Sequence, residues 1–403
     1  CAMRILQISN KAPYPPNDGS SIAVYNMAKG FINNGVELHL LTINTLKHYK
    51  KENEIPRDFL EQSHYTAIDR DTAVTPMGAV MNLFSSESFF VSRFVFKEFE
   101  EKIIEKLNAN QFDIVHLEGL FVAPYIPVIR KHSNAKITIR THNVEHLIWD
   151  RLIENEKSAV KRKYLSIQNA RLKKLELQIL NEADGIVTIT DYDKKLFEQL
   201  GIKTKAIVSP TGILLDRYAI NRSLTNTNSV FHLASMDWMP NTEAVDWFLD
   251  KVWPKYLKTE NNLQFTLAGR FMPDSYLKRN EGNLKVIGSI DDNIQFYNEH
   301  EIMMVPLQSG SGMRIKIIEG MAMGKVIVST SIGAEGIPVT HNENIIIANT
   351  PEEFANAIKN LSSNQELKTK IGNNARKFIE DYFENTKLIS ELLNFYESLA
   401  KFS

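Results

Sequence analysis

Short apolar runs rich in β-branched residues recur along this chain, with helical patterns between them, and the series runs through twice. The first series is RILQIS (4–9), VELHLLTI (36–43), FDIVH (112–116), KITIR (136–140), GIVTIT (185–190) and KAIV (205–208). The second is VFHLA (230–234), LQFTLA (263–268), LKVI (284–287), IMMVP (302–306) and VIVS (326–329). Runs this short and this apolar read as buried strands. Helical spacing at 22–34, 97–109 and 193–200 separates them. Alternation of strand and helix specifies a parallel sheet covered on both faces. Two series therefore predict an α/β chain with two Rossmann-like, doubly wound domains. At 403 residues the chain has the length for both. SPTGILLDRY (209–218) and the polar run 221–228 read as the junction.

Composition removes several function classes. A net charge of −1 does not suit a protein that binds nucleic acid through its phosphates. One cysteine makes no internal disulfide and no paired thiolate site for zinc. No apolar run approaches the ~18 residues of a membrane span, and no secretory leader is read ahead of Met3. A soluble cytoplasmic protein is expected. Two regions stand out. Residues 146–182 read as one long helix, whose part 157–174 holds seven Lys or Arg and no acid. It is either a solvated face or a contact for an anionic acceptor or membrane surface. The aromatic stretch 80–99 reads as core or as an apolar surface on the acceptor side.

The segment SGSGMRIKIIEGMAMGK (309–325) carries the chemistry. It lies in a strand–loop–helix unit, beyond the carboxyl end of a predicted strand, where open α/β sheets bind ligands. Glycines let backbone approach a ligand closely, and free amides at a helix start suit a phosphate. Arg314 and Lys316 add charge at the same end. Glu319 falls at the edge of the apolar arc of this helix. It could pair with Lys316 three residues before it, or accept from the two hydroxyls of a ribose. His116 and His142 each end or follow a predicted strand in the first series, which suggests a polar cleft. Asp191 and Asp193 read as helix N-caps, and no metal is expected.

PLQSGSGMRIKIIEGMAMGKVIVSTSIGAEGI strongly resembles the donor-binding segment of family 4 type glycosyltransferases (glycosyl transferases group 1) of the GT-B fold. MRILQISNKAPYPPNDGSS resembles their first strand and glycine loop, and DIVHLEG and RTHNVEHLIWDRL their two acceptor-domain histidine segments. SPTGILLDRY and FHLASMDWMPNTEAV resemble the interdomain connection and the opening of the donor domain. The resemblance implies an acceptor domain at 1–209, a donor domain at 210–380, facing each other across a cleft, and a helix at 381–403 that crosses back to the first. It implies transfer of a sugar from a nucleotide-diphosphate sugar to a glycan or lipid-linked acceptor, with net retention, in the manner of polysaccharide assembly. No cofactor beyond the donor is implied. The enzyme would work in the cytoplasm, free or peripheral at the inner face of the membrane. A nucleotide-sugar epimerase, or a module that binds a nucleotide sugar without turnover, would share the fold; no G-x-G-x-x-G supports an oxidoreductase.

By the same resemblance His142, His116, Arg314 and Lys316 act in catalysis. Donor contacts fall at Gly19, Asp237, Asn241, Ser289, Gly310, Ser311, Gly312, Met313, Arg314, Lys316 and Glu319. Acceptor contacts fall at Asp18, Glu118, Asn143 and Glu145. The chain departs from the family pattern twice. The acid expected eight positions before Glu319 is Ser311, and the segment Ser235 to Asn241 lacks the usual Arg and Lys. The charge for the diphosphate is expected from Arg314 and Lys316 instead.

Overall fold

The computed structural model describes residues 2–400 apart from 17, 47–48, 74–81, 83–87 and 311. The chain divides into two compact units. The first joins Cys1–Gly212 with Asn385–Ser403; the second is Ile213–Glu384.

The first unit is built on seven parallel strands: β1 (Arg4–Ser9), β2 (Glu37–Thr45), β3 (Thr66–Arg70), β4 (Ile114–Glu118), β5 (Lys136–Thr141), β6 (Gly185–Thr188) and β7 (Ala206–Val208). Their order is β3-β2-β1-β4-β5-β6-β7. The second sheet has six: β8 (Ser229–Leu233), β9 (Gln264–Ala268), β10 (Leu284–Val286), β11 (Ile302–Val305), β12 (Val326–Ser329) and β13 (Ile346–Ile347). Their order is β10-β9-β8-β11-β12-β13. Each order reverses direction once, between β1 and β4 and between β8 and β11. Loops that leave the strands at such a reversal diverge and open a crevice.

Eleven of these strands are the eleven apolar runs of the sequence. The two unforeseen ones, β3 and β13, are edge strands. TAIDR is half-buried or exposed along its length, and β13 has two residues, so neither carries a buried apolar run. The helix expected over 146–182 is two helices, Glu145–Asn155 and Ala159–Glu182. Ser158 breaks it by capping the second, accepting from the Lys161 amide at 3.4 Å. The cations of that stretch are exposed apart from half-buried Arg171. In the aromatic stretch Phe90, Phe94, Phe96 and Phe99 lie in the first unit's core, while 80, 81 and 83–87 lie outside the described residues. Thr190, not Asp191, caps the helix Asp191–Gln199, accepting from the Asp193 amide at 3.0 Å.

The helix Asn385–Ala400 belongs to the first unit. Ile389, Leu392, Tyr396 and Leu399 bury its inner face against Ile5, Phe31 and Leu38. Among the described residues no helix is long and apolar enough to cross a membrane.

Candidate active site

Register places a polar stripe on one face of the first sheet. Gln7 of β1 stands beside His116 of β4, and Thr138 of β5 stands on its other side. Two residues further on, Glu118 is flanked by Ser9 and Arg140. Alternation puts His116 and Glu118, and Thr138 and Arg140, on a shared face. All are almost wholly buried, and several of their polar groups bond one another. Glu118 Oε1 accepts from Gln7 Nε2 at 2.8 Å and from His116 Nε2 at 3.2 Å. Its Oε2 accepts from His142 Nε2 at 2.9 Å and lies 3.5 Å from Arg140 Nη1. Burial alone would raise the Glu118 pKa, but Arg140 and the histidine hydrogen bonds outweigh it and hold it well below 4.5. The carboxylate is therefore ionised, and both histidines must present N–H to it. On His116 this leaves Nδ1 to accept from the Tyr396 hydroxyl at 2.6 Å. Burial keeps His116 neutral by lowering its pKa.

This arrangement corrects two expectations. His116 lies inside β4, is fully buried and has both ring nitrogens engaged, so it cannot touch a substrate. Glu118 is 1% exposed with both oxygens occupied, so it is no acceptor contact. It is the group that orients His142. His142 itself is half-buried, and its bond to Glu118 uses Nε2 and leaves Nδ1 for a second hydrogen bond.

Asn143 and Glu145 follow in the same loop and are half-buried. Glu145 sits by Glu176, whose Oε1 accepts the Glu145 amide at 2.9 Å and whose Oε2 accepts from His146 Nδ1 at 2.6 Å. Burial, then the Glu176 charge, pushes the Glu145 carboxyl up to about 8. It is mostly protonated near neutral pH and can donate a hydrogen bond. Asp18, expected as an acceptor contact, is instead occupied locally. Its Oδ1 caps the helix Gly19–Asn33 through the Ser21 amide at 3.0 Å, and its Oδ2 binds Lys11 Nζ at 2.6 Å. Gly19 is exposed at the first turn of that helix.

In the second unit the reversal brings the segment after β8 beside the loop after β11. Gly310 and Gly312 take φ of +105° and +81°, a region that side chains disfavour. A Cβ on Gly310 would stand 2.8 Å from Arg314 Nη2 and 3.0 Å from the Trp238 ring. Arg314 is 5% exposed, with its guanidinium 5.2 Å from the Trp238 centroid and Nη1 on the Gly312 carbonyl at 2.5 Å. Ser311 lies outside the described residues. Met313 packs against the core, and Ser309 bonds the Glu243 carboxylate.

The helix Ile315–Ala322 begins here. Lys316 and Glu319 do not pair directly; among the described residues no ion pair joins them. Lys316 Nζ donates to Asn241 Oδ1 at 2.9 Å, and Asn241 Nδ2 donates to the Ser235 carbonyl at 2.8 Å. Asn241 is 5% exposed, so it ties Lys316 to the segment after β8 and is not itself an open ligand contact. Burial, with Arg314 adding to it and Glu319 opposing, draws the Lys316 pKa down to about 7. Glu319 Oε1 accepts from the Tyr218 hydroxyl at 2.9 Å. Burial raises its pKa, and Tyr218, Arg217 and Lys316 oppose that. Asp237 is exposed and accepts from Ser235 Oγ at 2.6 Å. Ser289 is exposed in the segment after β10.

Residues that sequence reading missed include Gln7, Arg140 and Tyr396 in the first unit and Tyr218, Trp238 and His232 in the second. His232, in β8, is 1% exposed, and burial and then Lys316 lower its pKa to about 3. The alternation within IVHLE and ITIRT was the available signal for the first group.

Two parallel sheets, each reversed once, define an α/β protein of the GT-B type. Two family models match it. Glycosyltransferase Family 4 covers residues 17–217 and glycosyl transferases group 1 covers 227–364. The chain belongs to these glycosyltransferases. It is 24% identical over 400 residues to a 44.6 kDa protein of the cps region of Klebsiella pneumoniae, covering 96% of this chain and 98% of that one. It is 22% identical to the putative glycosyltransferase YtcC of Bacillus subtilis over 75% of this chain and 77% of that one. Among solved structures, sucrose-phosphate synthase of Thermosynechococcus elongatus superposes over 100% of both chains with a TM-score of 0.68 at 16% identity. HepE of Anabaena, solved with UDP-glucose, matches at a TM-score of 0.64 and 16% identity over 98% of this chain and 100% of that chain. Likeness at this identity speaks for the fold alone.

Proposed function

We propose that this glycosyltransferase moves a hexose from a nucleoside-diphosphate sugar to a glycan or lipid-linked acceptor, with retention and without a metal. The observation that carries this is the Gly310–Glu319 segment. Within ten residues it sets two positive-φ glycines, two cations and a carboxylate at the carboxyl end of the second sheet. Arg314, Lys316 and the amides at the helix start stabilise the departing diphosphate. Glu319, held on one oxygen by Tyr218, has its other oxygen for a ribose hydroxyl. The second unit is thus the donor domain, and the bound UDP of the HepE structures supports a nucleotide sugar as the donor.

The first unit takes the acceptor. His142, fixed by Glu118, offers Nδ1 to a sugar or acceptor hydroxyl. Among the described residues the carboxylate bonded to His142 is Glu118, which is buried and cannot reach an anomeric carbon. A front-face departure, in which the leaving phosphate oxygen takes the acceptor proton, fits these residues. The exposed Lys161, Arg162, Lys163 and Val160 along the helix Ala159–Glu182 support contact with an anionic membrane surface carrying a lipid-linked acceptor.

The test is thermal-shift titration with UDP-, GDP-, ADP- and dTDP-sugars on wild type and Glu319→Ala. A saturating ligand at 100-fold its Kd stabilises by about 2.7 kcal/mol. We expect a shift with one nucleotide class, lost in the variant. A folded sample that responds to no donor overturns the proposal. Donor conversion with no acceptor present would make the chain an epimerase. Trapping a glycosyl–enzyme adduct would overturn the front-face step.

A further inference from the structure

The second sheet also carries cations at its other end, where the strands begin. There a cavity of about 270 Å³ opens between the segment before β8, the residues leading into β11 and β12, and the first turn of the helix Gln365–Tyr382. Arg222, Thr225, Glu301, Lys325, Lys368 and Thr369 line it. Lys325 and Lys368 are each 6% exposed. Lys368 Nζ lies 2.8 Å from Glu301 Oε1, and the other Glu301 oxygen accepts the Asn228 amide at 2.8 Å.

Lys325 feels the same Glu301 charge, which opposes the effect of its burial, without touching that carboxylate. Its ammonium donates to the His300 carbonyl at 2.7 Å, and among the described residues it forms no ion pair. Arg222 Nη2 is held by Asn373 Oδ1 at 2.7 Å. Three cations thus face one carboxylate that is already engaged on both oxygens. A buried ammonium that must share its counter-ion is costly, and a protein tolerates it where a ligand supplies further negative charge. The Thr369 hydroxyl and the start of an 18-residue helix add donors and positive potential at the same cavity. The volume is many times the ~10–15 Å³ that one water needs by the same measure, more than a bare phosphate requires.

We propose that this cavity is a second anion site, which binds the dianionic phosphate of a small phosphorylated molecule. It is separate from the donor segment. Gly324 and Lys325 follow the far end of the helix Ile315–Ala322, whose eight residues span about 12 Å. Ligand here braces the turn that ends the helix bearing Lys316 and Glu319.

Binding of inorganic phosphate and of glucose 6-phosphate is measured by melting-temperature shift at constant ionic strength. The proteins are wild type, Lys316→Met, Lys325→Met and Arg222→Gln. Arg222 is exposed, so its variant folds whatever becomes of Lys325→Met. We expect the phosphate response to survive Lys316→Met and to weaken by about tenfold or more in Lys325→Met and Arg222→Gln. Tighter binding of the sugar phosphate assigns the cavity to a phosphate monoester; equal binding assigns it to free phosphate. No response in wild type, an unchanged response in Arg222→Gln, or loss in Lys316→Met alone overturns the proposal. Each of these readouts is independent of whether a nucleotide sugar binds at Glu319.

Discussion

Replacing Glu118 by Gln removes one charge from the first unit and leaves Arg140, 1% exposed, without its counter-ion. Breaking a buried pair by deleting one partner costs about 3–5 kcal/mol. Gln keeps the shape and one acceptor oxygen, so the lower end, about 3 kcal/mol, applies. Its amide nitrogen then confronts an N–H of His116 or His142, which had both donated to carboxylate oxygens. Hydrogen–deuterium exchange of the intact chain reads this locally. Amides of β4 should exchange roughly 150-fold faster, since 1.36 kcal/mol is one factor of ten. Adding Arg140→Met removes the stranded charge and should recover part of the protection. His142 loses its orienting acceptor, so kcat should fall even where the protein is folded. If β4 protection in Glu118→Gln stays within threefold of wild type, the charge of Arg140 is balanced elsewhere and the reasoning about this stripe fails.

Other outcomes follow from the same geometry. Glu118 has a folded pKa held below its unfolded value of 4.5, so its stabilisation is complete above that pH and is lost as pH falls through it toward the folded value; urea unfolding should show a loss below pH 4.5 that Glu118→Gln lacks. Lys316, with its pKa near 7, is charged below that pH and neutral above it; nucleotide affinity should fall from pH 6 to 8.5, and the fall should be absent in Lys316→Met. Gly310→Ala puts a side chain at φ +105° against Arg314 and Trp238; it should cost about 1–3 kcal/mol by urea unfolding and shift the emission of Trp238, read by difference against a Trp238→Phe background.

What the sequence displayed and what it hid separate along physical lines. Strands inside the sheets are buried and mostly apolar, so they were visible as runs, and the edge strands β7 and β10 are short apolar runs as well. The other two edge strands were hidden because β3 is half-buried or exposed along its length and β13 has two residues. The glycine–cation segment was legible because its parts are adjacent: Gly310, Arg314, Lys316 and Glu319 lie within one loop and one helix. The stripe around Glu118 was not, because it forms only when β1, β4 and β5 align, and Tyr396 joins it from 280 residues away. Reading His116 as a strand end made it look open; the strand continues to Glu118 and buries it. Likewise Tyr218 reaches Glu319 across 101 residues, beyond any local pattern. His142 was legible as a candidate, but its orientation depends on Glu118, whose role the sequence did not suggest.

The first unit is discontinuous, and this fixes the order in which the protein can be completed. Ile213 and Phe383, at the two ends of the second unit, are joined by a 2.7 Å backbone hydrogen bond. The second unit is therefore an insertion, entered and left at one point. During synthesis its residues 213–384 all emerge before the helix Asn385–Ala400 that covers Ile5, Phe31 and Leu38. The unit that begins the chain is the last to close. Until then its apolar face on that side lacks the cover that the helix Asn385–Ala400 provides.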